Sequence, residues 1–304
     1  MNHSIAREVA EAVERVASLV LAEKKRLSTQ PVESFTRRKI DGSPVTTVDL
    51  LAHTELIREL KAISEPYSDL PIVSEEDTEI PDPSRFQSHS IELARPYFWL
   101  IDPLDGTRDF IGGEETYAVV VALMRMGKDG MRPCFGVISA PEFDSGTTWW
   151  GGPELGVHVK RGAGRLSVSS EVKVRPPTPE KLRVLGSRSK PSARLLKLYD
   201  LIGATEITRL GSALKYALIA EGRSDLYPRF GPTSEWDTAA GHALLLAMGG
   251  DLIDLRTQKS LSYGKPGWTN SGCLAVGDVR LLHDDTVAEA LLSMSVLAGN
   301  GNGT

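Results

Sequence analysis

The chain has 304 residues, 41% of them hydrophobic and 25% charged, with a formal net charge of -5. That composition suits one large folded domain or two packed ones. Its acidic balance excludes a broadly basic surface for nucleic acid or an anionic membrane, so a small anionic substrate would need local help from metal ions or a basic pocket. Two cysteines, Cys134 and Cys273, make no disulfide framework and read as reduced thiols.

The N-terminal "MNHSIAREVAEAVERVASLV" has no signal pattern and no long uncharged run, so a cytoplasmic chain without a transmembrane segment is expected. Residues 4–27 place Ile5, Val9, Val13, Val16 and Val20 at helical spacing, with charges between them. Asp41-Gly42 carries turn chemistry, and a second helical pattern starts near Asp49 and runs to about Ser64. "LPIVSEED" predicts a short buried strand ending in acids, and the Pro- and Ser-rich residues 81–96 predict a surface loop. "YFWLID", "TYAVVVALM", "PCFGVISA", "TTWWGG" and "GVHVKR" predict consecutive strands, an antiparallel meander with helices on its face.

Three prolines among charges in "EVKVRPPTPEK", residues 171–181, mark a boundary. Beyond it, strands at "LRVLGS", "TEITRL", "SDLYPRF" and "GDLIDL" alternate with helices over 192–202, 212–221 and 237–248. The division expected is an N-terminal α+β half over 1–170, an α/β half over 171–295 and a frayed Gly/Asn tail over 296–304.

In "WLIDPLDGTRDFI" a buried-looking run delivers two carboxylates, Asp102 and Asp105, to one turn. Like charges that close repel, and burial raises the cost; a divalent cation resolves both problems. Gly106 lets the backbone approach a ligand, and the amides of Gly106 and Thr107 suit an anion. Glu75 follows a strand, while Asp49 and Asp237 stand before helices, where each reads locally as an N-cap. Together these acids form an oxygen-rich set suited to Mg²⁺ or Mn²⁺. The six histidines are scattered, and His242 is expected to lie on its helix without a ligand role.

"PIVSEED", "WLIDPLDGTRDFI" and "WDTAAGHA" together resemble the inositol monophosphatase superfamily of metal-dependent, lithium-sensitive phosphatases. Within it, "GSPVTTVD", "GSALKYALIAEGRSDLYPRFGPTSEWDTAAGHA" and "LSYGKPGWTNSG" are similar to the 3'(2'),5'-bisphosphate nucleotidases of CysQ type. The resemblance covers residues 5–280 and implies an α/β/α/β/α layered sandwich of the sugar-phosphatase kind. It implies that Glu75, Asp102 and the Leu104 carbonyl hold one metal. Asp102, Asp105 and Asp237 would hold a second, with Asp102 bridging, and Glu75 would touch a third, weaker ion. Mg²⁺ is the ion implied, with Mn²⁺ able to substitute. An Asp49–Thr107 hydrogen bond would orient the attacking water.

By the same resemblance, Ser212, Lys215 and Arg229 meet a second, non-scissile phosphate, with Ser187, Arg188 and Asp237 as further substrate contacts. The sequence departs from the family at "GSRSK", where Lys190 stands in place of a histidine, and in the loop "IGGEETY". The implied reaction removes the 3'-phosphate of adenosine 3',5'-bisphosphate, or of its sulfated analogue, in sulfur metabolism. The rival substrates are inositol monophosphate and fructose 1,6-bisphosphate; a non-enzymatic metal- or nucleotide-binding role is a third reading. A nucleotide bisphosphate is the expected partner, and the chain is expected to act as a monomer or homodimer.

Overall fold

The computed structural model describes residues 1–87, 96–127, 130–162, 168–172, 181–204 and 206–291. The boundary prolines and the tail lie outside these residues. Helix α1 (His3–Leu27) buries Val9, Val13, Val16 and Val20 in one stripe, as its spacing predicts. Strands β1 (Thr36–Arg38) and β2 (Pro44–Thr46) form a hairpin around Asp41-Gly42. Helix α2 (Thr47–Lys61) begins two residues before Asp49, because Thr46 is its N-cap and Asp49 closes a capping box from the third position.

The large sheet has seven strands in sequence order: β3 (Ile72–Ser74), β4 (Tyr97–Asp105), β5 (Ala118–Gly127), β6 (Gly130–Ala140), β7 (Thr147–Gly152), β8 (Gly156–Arg161) and β9 (Val168–Glu171). Only β3 and β4 pair in parallel; the rest is the predicted antiparallel meander. Between these strands lie two short helices, α3 (Ser84–Gln87), inside the segment read as loop, and α4 (Thr107–Ile111).

The C-terminal half contains β10 (Arg183–Ser187), α5 (Ala193–Leu201), β11 (Glu206–Leu210), α6 (Leu214–Ala220), β12 (Leu226–Arg229), β13 (Thr233–Ser234), α7 (Glu235–Ala247), β14 (Asp251–Asp254), β15 (Thr269–Asn270) and β16 (Cys273–Val276). Its five-stranded sheet has the order β11-β10-β12-β16-β14. The expected strand–helix alternation holds up to α7. Strand β16, unread in the sequence, then inserts antiparallel to both β12 and β14. Its four apolar residues between Gly272 and Gly277 carry no alternation to reveal it.

The layers follow from which residues each strand turns to which side. Phe98 and Leu100 of β4 pack with α6, α7 and the small sheet, whereas Trp99 and Ile101 pack with α1 and α2. Strand β5 divides in the same way, so the large sheet is buried on both faces and its strands read as continuous apolar runs. A third cluster lies between the small sheet and α5, around Val184, Leu198, Tyr199, Leu226 and Leu274. The order is therefore α1/α2, large sheet, α6/α7, small sheet, α5: the layered sandwich. Helix α7 sits tight on the large sheet, since a Cβ on Gly136 would lie 2.3 Å from the Ala240 carbonyl oxygen.

Candidate metal centre

The two acids of β4 reach one site through a bulge. Residues three apart on a regular strand point to opposite faces. Here Asp102 pairs with Val120 and Asp105 with Ala118, and the register shifts between them. Three steps on β4 thus match two on β5, and the extra residue restores both acids to one face. Val120 and Ala118 face α6 and α7, so both carboxylates face that middle layer. Leu104 turns the other way, into the α1/α2 core, while its N–H donates to Asp102 Oδ1 at 3.0 Å.

Two further elements bring acids to the same place. Ser74, the last residue of β3, pairs with Ile101; Glu75 follows, and its N–H donates to the Ile101 carbonyl at 3.2 Å. Asp237 lies in the first turn of α7, where its Oδ2 accepts the Ser234 N–H at 3.1 Å. Carboxylate oxygens of Glu75, Asp102 and Asp237 all lie within 4.8 Å of one another. Asp237 was readable as an N-cap. It lies instead at the third helical position, so its side chain reaches the centre and also serves the cap.

The electrostatics are those of crowded acids. Burial pushes the Asp102 carboxyl well above the usual range, and Glu75, Asp105 and Asp237 add to it. Asp237 is raised by burial first, then by Asp105 and Glu75. Asp105 is also raised by burial, although the Ser212 hydroxyl at 2.7 Å, the charge of Lys215 and the Ala213 N–H all favour its charged form. The donor set is all oxygen and self-repelling, with Asp102 buried and Glu75, Asp105 and Asp237 half-buried around it, and it fits a hard divalent cation. The Leu104 carbonyl oxygen lies 3.2 Å from Thr107 Oγ1.

Thr107 and Asp49 meet as expected. Thr107 Oγ1 donates to Asp49 Oδ1 at 2.8 Å, while Asp49 Oδ2 accepts from the N–H and hydroxyl of Thr46. Asp49 is 1% exposed, and burial raises its carboxyl above the usual range against these hydrogen bonds. Between Asp105 and Thr107, Gly106 turns with φ 94°, and a Cβ there would lie 3.0 Å from the Thr116 carbonyl oxygen.

The predicted substrate residues divide into three kinds. Arg229 and Ser187 sit at strand ends on the middle-layer side, with Arg229 Nη1 3.4 Å from Ser187 Oγ and Ser187 Oγ 2.9 Å from the Tyr227 hydroxyl. Arg229 Nε is buried with no hydrogen-bond partner among the described residues. Lys215 is buried, donating to the carbonyls of Ser212 at 2.6 Å and Leu210 at 3.2 Å, and the Ser212 hydroxyl is spent on Asp105. Arg188 is engaged by Asp109 at 3.2 Å and Glu114 at 2.6 Å. Lys190 is exposed.

Sequence reasoning missed Lys39. Its Nζ lies 2.8 Å from Glu75 and 2.6 Å from Glu76; burial opposes its charge, but these carboxylates outweigh that and raise its pKa. Burial pushes Glu76 itself up to about 7 despite Lys39. Nothing local in "RRKIDG" sets this lysine apart from its basic neighbours. His242 is buried on α7, with Nε2 2.8 Å from Asp251 and Nδ1 3.0 Å from the Tyr263 hydroxyl.

A layered sandwich with an acidic centre at the strand ends, between its two sheets, is the architecture of metal-dependent sugar-phosphatase folds. The inositol monophosphatase family model matches residues 2–292, and the chain belongs to that family. It is 37% identical over 232 residues to the 3'(2'),5'-bisphosphate nucleotidase CysQ of Salmonella typhimurium, covering 74% of this chain and 82% of that one. Identity to the CysQ of Escherichia coli K12 is 36% over 241 residues, covering 77% and 85%. Among solved structures, CysQ from Bacteroides thetaiotaomicron superposes with a TM-score of 0.70 at 25% identity, over 90% of this chain and 97% of that one. The inositol monophosphatase of Thermotoga maritima matches in fold, with a TM-score of 0.68 at 20% identity over 95% and 96%. Among the described residues, no helix is long and apolar enough to cross a membrane.

Proposed function

We propose that this chain is a Mg²⁺-dependent 3'(2'),5'-bisphosphate nucleotidase that takes adenosine 3',5'-bisphosphate to AMP and phosphate. The observation that carries the proposal is the convergence of Glu75 and Asp237, with Asp105 beside them, from three separate elements onto the buried Asp102. The kinship with CysQ enzymes supports the substrate.

Divalent ions in this centre would supply positive charge and Lewis acidity for phosphoryl transfer. Glu75, Asp102, Asp105, Asp237 and the Leu104 carbonyl would hold them. Thr107 orients the attacking water. Its hydroxyl hydrogen is committed to Asp49, so its oxygen presents a lone pair to a water proton. The amides of Gly106 and Thr107 bind the phosphoryl oxygens.

A second phosphate on the substrate would be received by Arg229 and Ser187, since the buried Arg229 Nε meets no acceptor among the described residues. Lys215 contributes positive charge behind Asp105, and Arg188 lies at the rim. The protein is read as cytoplasmic and as a monomer or homodimer. The test is phosphate release from adenosine 3',5'-bisphosphate after chelation and Mg²⁺ return. Activity should vanish with chelator and recover with Mg²⁺ or Mn²⁺. Release that ignores the chelator would contradict the proposal.

A further inference from the structure

Glu75 stands where a strand runs out, and a strand end frays unless something holds it. The grip comes from the opposite face of the sheet. Successive strand residues alternate sides. Val73 faces the middle layer, so Ser74 faces α2 and Glu75 turns back to the acidic centre. Behind Ser74 stands His53, on α2 one turn after Asp49, with Nδ1 2.8 Å from Ser74 Oγ.

The direction of this hydrogen bond follows from the surroundings. Ser74 is fully buried, and its Oγ accepts the Glu76 N–H at 3.3 Å. Its hydroxyl hydrogen needs an acceptor, and among the described residues His53 Nδ1 is the one it meets. His53 therefore carries its proton on Nε2 and accepts at Nδ1. Around the same serine, the Ser74 N–H donates to Asp77 Oδ2 at 2.8 Å, and the Asp77 N–H returns to the Ser74 carbonyl at 3.2 Å. The turn 74–77 is thus folded about Ser74, whose backbone holds Asp77 and whose side chain holds the Glu76 N–H and is anchored to α2.

We infer that His53 is a positioning residue: through Ser74 it fixes the turn that aims Glu75 at Asp102 and Asp237. This rests on the reading of Glu75 as a metal ligand. Helix α2 then fastens both parts of the site, Thr107 through Asp49 and Glu75 through His53. Partners behind a metal ligand commonly account for ten- to a hundred-fold in metal affinity.

The test is Mn²⁺ binding, measured by the loss of free-ion paramagnetic resonance signal, on the full chain without substrate. His53→Ala should raise the Kd about tenfold, and His53→Asn, whose Oδ1 can stand where Nδ1 stood, should restore most of it. Ser74→Ala should weaken binding as His53→Ala does, and the double variant should add little more. An unchanged Kd in a folded His53→Ala would overturn the inference, as would His53→Asn binding as weakly as His53→Ala. A wild-type chain that binds no Mn²⁺ would overturn the metal reading itself.

Discussion

Asp102 is 2% exposed and surrounded by other carboxylates, an arrangement that costs the empty protein stability. Asp102→Asn should therefore leave at most a few per cent of phosphate release at saturating Mg²⁺, yet raise the melting temperature of the metal-free chain. Loss of activity together with a lower metal-free melting temperature would mean the side chain holds the fold. Arg229 is a different case, a half-buried cation whose Nε is buried without a hydrogen-bond partner among the described residues. Charge-assisted hydrogen bonds are worth roughly 1.5–3 kcal/mol, so Arg229→Ala should lose about ten- to a hundred-fold in kcat/KM on adenosine 3',5'-bisphosphate. Inositol 1-phosphate, with no second phosphate, should lose little. Equal losses on both would assign Arg229 to the fold or to the acidic centre.

Elements decide which of these residues can meet. The acids were legible in the sequence because each follows or begins an apolar run, as in "WLID" and "PIVSEED". The bulge was not, because nothing in Pro103-Leu104 states that an extra residue enters the pairing. The start of α2 was missed because Asp49 looks like a cap, whereas Thr46, three residues earlier, is the cap and Asp49 its reciprocal partner. Lys39 and Ser74 were unreadable because their partners come from other elements. The close seat of α7 was also invisible, and it is testable. Gly136→Ala would drive a methyl into the Ala240 backbone and push α7, with Asp237, off the sheet. Overpacking of this kind costs about 1–3 kcal/mol. The variant should melt lower and bind Mn²⁺ more weakly; wild-type values for both would show that α7 is not held by this contact.

At the scale of the whole molecule, the acidic centre is stored repulsion set into one core, since residues of both sheets meet around α6 and α7. Asp49, Asp102, Asp105 and Asp237 have folded pKa values above the ordinary carboxylate range, and Glu76 is pushed up to about 7. A folded pKa above the unfolded one means the native state holds more protons, so stability is lost as pH rises through the folded value. In chelator, the melting temperature should therefore rise as pH is lowered from about 8 to 6.5. Saturating Mg²⁺ should shrink that rise, because the ions replace the protons of Asp102, Asp105 and Asp237 and leave that of Glu76. His242, whose pKa burial lowers despite Asp251, pulls the other way only below about 6.5, the unfolded value for histidine. A metal-free melting temperature that falls over this window would contradict the picture of repelling acids. The most direct test of the central claim is kcat/KM for phosphate release from adenosine 3',5'-bisphosphate and from inositol 1-phosphate, measured side by side on the wild-type chain in Mg²⁺. A preference of at least about tenfold for the bisphosphate is expected, the worth of one charge-assisted contact to its second phosphate; equal values, or a preference for inositol 1-phosphate, would overturn the assignment.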